Sequence, residues 1–154
     1  MRIELILIGD TQKGFIADGI QEYTKRLKHY IKFEQKIIKS IKNSHKLSFD
    51  EQKKREAELI KNVLIKKSIV ILLDENGKEF TSPQFAKYLE KNLNTGQHIT
   101  FVVGGAFGFS EELKNKYPLV ALSKMTFSHQ MIRLFFIEQL YRAFTILKGE
   151  NYHH

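Results

Sequence analysis

The chain has no cysteine among its 154 residues. Disulfide frameworks and thiolate nucleophiles are therefore excluded, and a cytoplasmic address is the simplest reading. Only two prolines occur, and there is no low-complexity tract, internal repeat or recognisable linker. No apolar run approaches the roughly 20 residues of a membrane span. The opening "MRIELILIGD" carries Glu4 within its apolar stretch and lacks a small-residue cleavage site, so it reads as a first strand rather than a signal peptide. Several site motifs are also missing. There is no G-x-x-x-x-G-K-[ST] loop, Gly104-Gly105-Ala106-Phe107-Gly108 lacks the G-x-G-x-x-G spacing, and no G-x-S-x-G elbow occurs. The six histidines form no H-x-x-x-H pair, so no metal site is expected.

What remains is an ordinary globular composition, 42% hydrophobic and 27% charged, in a length suited to one domain. Twenty-five Lys and Arg stand against 17 Asp and Glu, a net charge of +8 that favours a polyanionic partner, nucleic acid first.

Five apolar runs alternate with helical patterns. "IELILIG" (3–9), "FEQKIIKSI" (33–41), "SIVILLD" (68–74), "ITFVVGG" (99–105) and "LVALS" (119–123) read as strands, the second weaker than the others. Ile16, Ile20, Tyr23, Leu27 and Tyr30 share one helical face. "KNSHKLS" is polar and reads as a mobile loop. Ser48 and Glu51 form a capping box that opens a helix to about Lys66. "ENG" turns the chain, after which Ser82 as N-cap and Pro83 at N1 start another helix. Ser110 opens a short one with an acidic first turn. The longest helical pattern runs from about His129 to Leu147 and stops at Gly149. This alternation predicts an α/β layered domain with a largely parallel sheet, whose ligands sit beyond the carboxyl ends of the strands.

Three loops lie there: "LLDENGKEF", "GGAFGFS" and "LSKMTFSHQ". The second spends three glycines within five positions, more than a tight turn requires, and so calls for a ligand or another stretch of backbone pressed against it. The last helix, "MIRLFFIEQLYRAFTILKG", is apolar nearly all round and asks for a second covering surface, which a subunit interface supplies. On it Glu138 and Arg142 stand at i, i+4 in the favourable order.

"LLDENGKEFTSPQFA", "FVVGGAFGF", "LSKMTFSHQMIRLFFIEQLYRAFTILKG" and the terminal "YHH" together resemble the small SPOUT methyltransferases of the RlmH (YbeA) type. The resemblance spans the chain and is strongest from Leu72 onward. It implies a single SPOUT (α/β-knot) domain over residues 1–154, trefoil-knotted from about residue 70. The implied cofactor is S-adenosyl-L-methionine, on Leu73, Gly104, Gly105, Leu122, Ser123, Lys124, Met125, Thr126 and Phe127. The implied activity is methylation of N3 of a pseudouridine in 23S rRNA of the large subunit, on assembled ribosomes. The enzyme would be a homodimer built on the knot region and last helix, with no metal and no membrane association.

Four further residues are candidates for the chemistry. His153 would orient the base or take its proton, Tyr152 would stack on it, and Arg142, fixed by Glu138, would stabilise developing negative charge. Lys25, Arg26 and Lys28 are candidates for gripping RNA. The alternative is a SPOUT-fold RNA-binding protein that has lost catalysis. Two departures from the usual pattern stand out: Ser128 where proline is common, and His154 where Lys or Arg usually follows Tyr-His.

Overall fold

Six apolar-rich residues without a break form β1 (Ile3–Ile8), and every one of them is buried. A strand of this kind belongs in the middle of a sheet covered on both faces. The computed structural model, which describes all 154 residues, places it there. The chain continues through α1 (Phe15–Leu27), β2 (Phe33–Ile38), α2 (Phe49–Val63), β3 (Ile69–Glu79) and α3 (Ser82–Leu93). Then come β4 (Ile99–Val103), α4 (Glu111–Lys116), β5 (Leu119–Ala121) and α5 (Met131–Leu147). The sheet is parallel throughout, in the order β2-β1-β4-β3-β5.

Alternating side chains divide the core between the two faces. Ile3, Leu5, Leu7, Ile71, Phe101 and Val103 point to the side covered by α1, α3 and α5. Ile6, Ile8, Leu72 and Val102 point to the other, where Ala57 and Ile60 of α2 and Leu113 of α4 cover them. The weaker strand β2 lies at an edge, and its exposed Gln35 and Lys36 explain its diluted pattern.

Helix starts follow side-chain chemistry. Ser48 and Glu51 exchange both bonds of the capping box. At α3 the cap is Thr81, one residue earlier than Ser82. Thr81 Oγ1 accepts from Gln84 N–H and Gln84 Oε1 accepts from Thr81 N–H, which puts Ser82 inside the first turn, where its hydroxyl donates to Gln139 Oε1 at 2.8 Å. The "KNSHKLS" stretch holds a short 3-10 turn at Ser44–Lys46. Helix α5 begins at Met131, two residues past His129, and Ser128 Oγ accepts from Met131 N–H at 3.1 Å, a capping contact.

Helix α5 packs against both α1 and α3, so most of its apolar surface is covered within the chain. Phe136, Ile137, Leu140 and Phe144 are buried, while Phe135 stays exposed. At its end Gly149 takes φ +67°, with Gly149 N–H bonded to Ile146 O and Glu150 N–H to Thr145 O. This Schellman turn sends the tail back toward α1 and α5.

Candidate functional site

The three loops beyond the carboxyl ends of β3, β4 and β5 enclose a cavity of about 290 Å³, near the lower end of the ~300–1,000 Å³ typical of small-molecule sites. Its first wall arises from an irregularity in β3. Leu72 and Leu73 pair with Leu119 and Val120; the strand then swings out and rejoins with Lys78 on Val120 and Glu79 on Ala121. "ENG" is thus a bulge inside a continuing strand and not its end. Gly77 permits it, because an added Cβ would lie 2.5 Å from the Leu119 carbonyl carbon. Within the bulge Asp74 accepts from Asn76 N–H at 2.8 Å and lies 3.8 Å from Lys114 Nζ.

The glycine loop is the second wall, and the chain's own packing accounts for each glycine. A Cβ on Gly104 would press the buried Phe109 ring at 3.3 Å. One on Gly105 would meet the Glu56 carboxylate at 2.6 and 2.7 Å. Gly108 has φ +80°, and its N–H donates to Gly105 O at 3.1 Å. The close neighbour of Gly105 is therefore a carboxyl group of α2 rather than another stretch of backbone. Burial pushes the Glu56 carboxyl above the ordinary carboxylate range, against hydrogen bonds from the Gln52 side chain and the Gly105 backbone.

The segment after β5 closes the cavity. Ser123 Oγ accepts from Met125 N–H at 2.9 Å, and Thr126 Oγ1 donates to Glu75 in the β3 bulge. Of the residues the resemblance assigns to the cofactor, Leu73, Gly104, Gly105, Leu122, Ser123, Met125, Thr126 and Phe127 line this cavity. Lys124 does not; it is 86% exposed and stands 3.7 Å from Glu79. The lining also includes Lys114, and Asp74, Glu75 and His129 from two of the three expected loops, none of which was assigned a site role from the sequence. Burial first, and then the charge of Arg133, holds the His129 imidazole below its ordinary value.

The donor set suits a sulfonium nucleoside. Leu73, Leu122, Phe127 and Ile132 offer apolar walls, the glycine loop offers main-chain groups, the acidic pair matches a cationic ligand, and Lys114 matches a carboxylate. No cluster of three or more His, Asp or Glu side chains is placed to hold a metal ion, and no helix is long and apolar enough to cross a membrane.

Glu138, Arg142, Tyr152 and His153 come together, but away from this cavity. Glu138 Oε1 accepts from Arg142 Nη2 at 2.6 Å, Arg142 Nε at 3.1 Å and Tyr152 Oη at 3.0 Å. Arg142 also lies over the Tyr152 ring, and its Nη1 is 3.3 Å from His153 Nδ1. Tyr152 and Tyr23 hydroxyls meet at 3.2 Å. Burial, then the Tyr23 and Glu138 bonds, raises the Tyr152 phenol above its ordinary value. Glu138 faces a neighbouring hollow of about 280 Å³ that shares Val120, Leu122 and Phe127 with the first. Of the suggested RNA grips, Lys25 and Lys28 are exposed, whereas Arg26 is held by Glu22 at 2.8 Å and lies over Tyr23 and Tyr141.

Two supporting residues escaped the sequence patterns. Arg133 is 0% exposed, and donates to Ile8 O, Gly9 O, Thr11 Oγ1 and His129 O. Gln130 accepts from Gln12 N–H and donates to Asp10 O. Together they tie the start of α5 to the loop after β1, holding the His129 wall in place.

A parallel α/β sheet with an apolar and main-chain-lined cavity at its carboxyl edge, and no phosphate-binding loop, defines a candidate small-molecule site on a layered α/β fold. Comparison with known proteins makes the assignment specific. The chain belongs to the SPOUT methyltransferase family: the family described as "Predicted SPOUT methyltransferase" matches residues 1–153. A protein of Christiangramia forsetii named Ribosomal RNA large subunit methyltransferase H is 53% identical, over 100% of this chain and 99% of that one. Its namesake in Parabacteroides distasonis is 54% identical with the same coverage, and that of Cytophaga hutchinsonii 49% over 100% of both chains. A solved structure of a probable methylase family protein from Haemophilus influenzae Rd KW20 superposes with TM-score 0.53 and 18% identity, covering 96% of this chain and 66% of that one. At that identity the likeness speaks for the fold alone.

Proposed function

We propose that this protein transfers a methyl group from S-adenosyl-L-methionine to N3 of a pseudouridine in 23S rRNA of the large ribosomal subunit. It would act in the cytoplasm on the assembled ribosome, as a homodimer of single SPOUT domains spanning residues 1–154, knotted from about residue 70. The observation that carries this is the coincidence of two things. Relatives about half identical along the whole chain are named as large-subunit rRNA methyltransferases, and eight of the nine residues expected at the cofactor line one cavity.

When bound, S-adenosyl-L-methionine supplies a methyl group already attached to a good leaving group. The chain's own work is positioning, which can account for several kcal/mol of a methyl-transfer barrier. The walls around Leu73, Gly104, Leu122, Ser123 and Met125 to Phe127 hold the donor. The tail cluster handles the acceptor base. With Arg142 Nη1 donating to His153 Nδ1, the neutral imidazole carries its proton on Nε2. In that tautomer His153 donates to a carbonyl oxygen of the base; it orients the ring and stabilises the anion formed as the N3 proton passes to solvent water, rather than taking that proton. Glu138 keeps the Arg142 guanidinium aimed, and Tyr152 lends a ring for stacking.

Because these side chains do not line their own chain's cavity, a second protomer is the natural way to bring tail and cavity together. The strip formed by half-buried Phe127 and exposed Phe135, whose ring centroids lie 4.9 Å apart, is where that contact would form. Transfer of a labelled methyl group to ribosomes lacking the modification, with naked rRNA alongside, tests the proposal. Label mapping to one pseudouridine N3 on ribosomes is expected. Cofactor binding without transfer to either substrate would instead indicate a SPOUT-fold RNA-binding protein without catalysis.

A further inference from the structure

Two exposed aromatic side chains form a pair at the edge of the cavity. Phe49 at the start of α2 and Phe107 at the tip of the glycine loop stack with ring centroids 4.1 Å apart and planes at 26°. They remain 64% and 42% exposed, so each ring spends one face on the other and leaves much of its surface to solvent. Phe107 also lines the cavity, which puts the pair on the rim of the site.

The surrounding charge is lopsided. Between Lys39 and Arg55 six Lys and Arg stand against two acids, which is half of the chain's net +8 in one short segment. Lys39, Lys42, Lys46, Lys54 and Arg55 are exposed and have no carboxylate within salt-bridge distance. The nearby acids are occupied: Asp50 by Lys53, Glu51 by the Ser48 N–H, Glu58 and Glu112 by Lys61, and Glu111 by Lys114. An exposed aromatic step flanked along the chain by unpaired cations matches the chemistry of single-stranded nucleic acid, where rings take base faces and cations take phosphates.

We propose that the Phe49–Phe107 pair is a stacking platform for an unpaired RNA base next to the target nucleotide, with the Lys39–Arg55 segment holding the flanking phosphates. This rests on the rRNA methyltransferase reading and adds where the RNA lies: across α2 and the glycine loop, so that the loop walling the cavity also receives the substrate. The test is titration of the full-length protein with a stem-loop RNA carrying 2-aminopurine in its loop, which reads stacking directly by quenching and needs no methyl transfer. Wild type should quench the probe and bind it more tightly than a fully paired duplex of equal length. Phe49→Ala should raise Kd about ten-fold, within the range alanine substitution gives at base-stacking rings, and Phe49→Trp should restore it. Phe49 does not itself line the cavity, so S-adenosylmethionine affinity, measured in parallel, should fall by much less than RNA affinity in Phe49→Ala.

Unchanged RNA affinity in Phe49→Ala, no quenching in wild type, or equal binding of duplex would each overturn the proposal. A shift from dimer to monomer in Phe49→Ala with RNA affinity untouched would also overturn it, and assign the pair to a second copy of the chain. Failure of wild type to methylate ribosomes would instead strike the enzymatic reading, since the quenching titration is scored independently of turnover.

Discussion

Replacing Gly105 by alanine adds one carbon at a crowded point beneath the cavity. That carbon would sit 2.6 and 2.7 Å from the two Glu56 carboxylate oxygens and 2.9 Å from Cδ. Glu56 is only 5% exposed and accepts hydrogen bonds from the Gln52 side chain at 3.2 Å and from the Gly105 backbone, so it cannot swing aside without losing them. Overpacking of this kind costs about 1–3 kcal/mol. For a chain of this length each kcal/mol moves Tm by about 2–4 °C, so a fall of roughly 2–12 °C is expected. Thermal unfolding followed by circular dichroism measures it. The partner is identified by a cycle: Glu56→Ala opens the space and should cut the cost of Gly105→Ala by at least about 1 kcal/mol. Glu56→Gln keeps the bulk and should give no such relief. A Gly105→Ala protein with unchanged Tm, or equal cost in wild-type and Glu56→Ala backgrounds, would refute the packing account of this glycine.

Three more outcomes follow from the same contacts. Arg133→Met removes a buried cation that satisfies Ile8, Gly9, Thr11 and His129; denaturant unfolding should show a loss of about 1–3 kcal/mol, the cost of leaving buried acceptors without a donor. The folded state raises the Glu56 pKa above its ordinary 4.5. Its contribution is therefore fully present below pH 4.5 and lost as pH rises through the folded value, so unfolding at a series of pH values should find Glu56→Gln gaining on wild type from pH 4.5 upward. Tyr152→Phe removes hydroxyl bonds to Glu138 and Tyr23; it should cost about 1–2 kcal/mol of stability and lower methyl transfer to ribosomes, while His153→Ala should lower transfer further without changing cofactor affinity.

The chain's own pattern determined the layered parallel architecture. Mostly apolar runs at β1, the first half of β3 and β4 call for cover on both faces, and alternation with amphipathic helices leaves little but a parallel sheet. It also determined which edge carries the site, because glycines and small polar residues cluster after three of the strands. The capping box at Ser48 and the glycine stop at Gly149 are local effects and were equally legible.

Other features depended on contacts between residues far apart in the chain. The extension of β3 through its bulge exists because Gly77 lies against the backbone of β5, forty-two positions on. The start of α3 moved to Thr81 because two hydroxyls compete for the cap, and Ser82 found a partner on α5. Glu56, Gln130 and Arg133 carry no motif; only the fold places a carboxyl under the glycine loop and a guanidinium against the end of β1. The separation of the tail cluster from the cavity was likewise decided in three dimensions. Local sequence sets which backbone conformations are cheap, whereas the positions of buried polar groups are set by which distant donors and acceptors the packed sheet brings within hydrogen-bond reach.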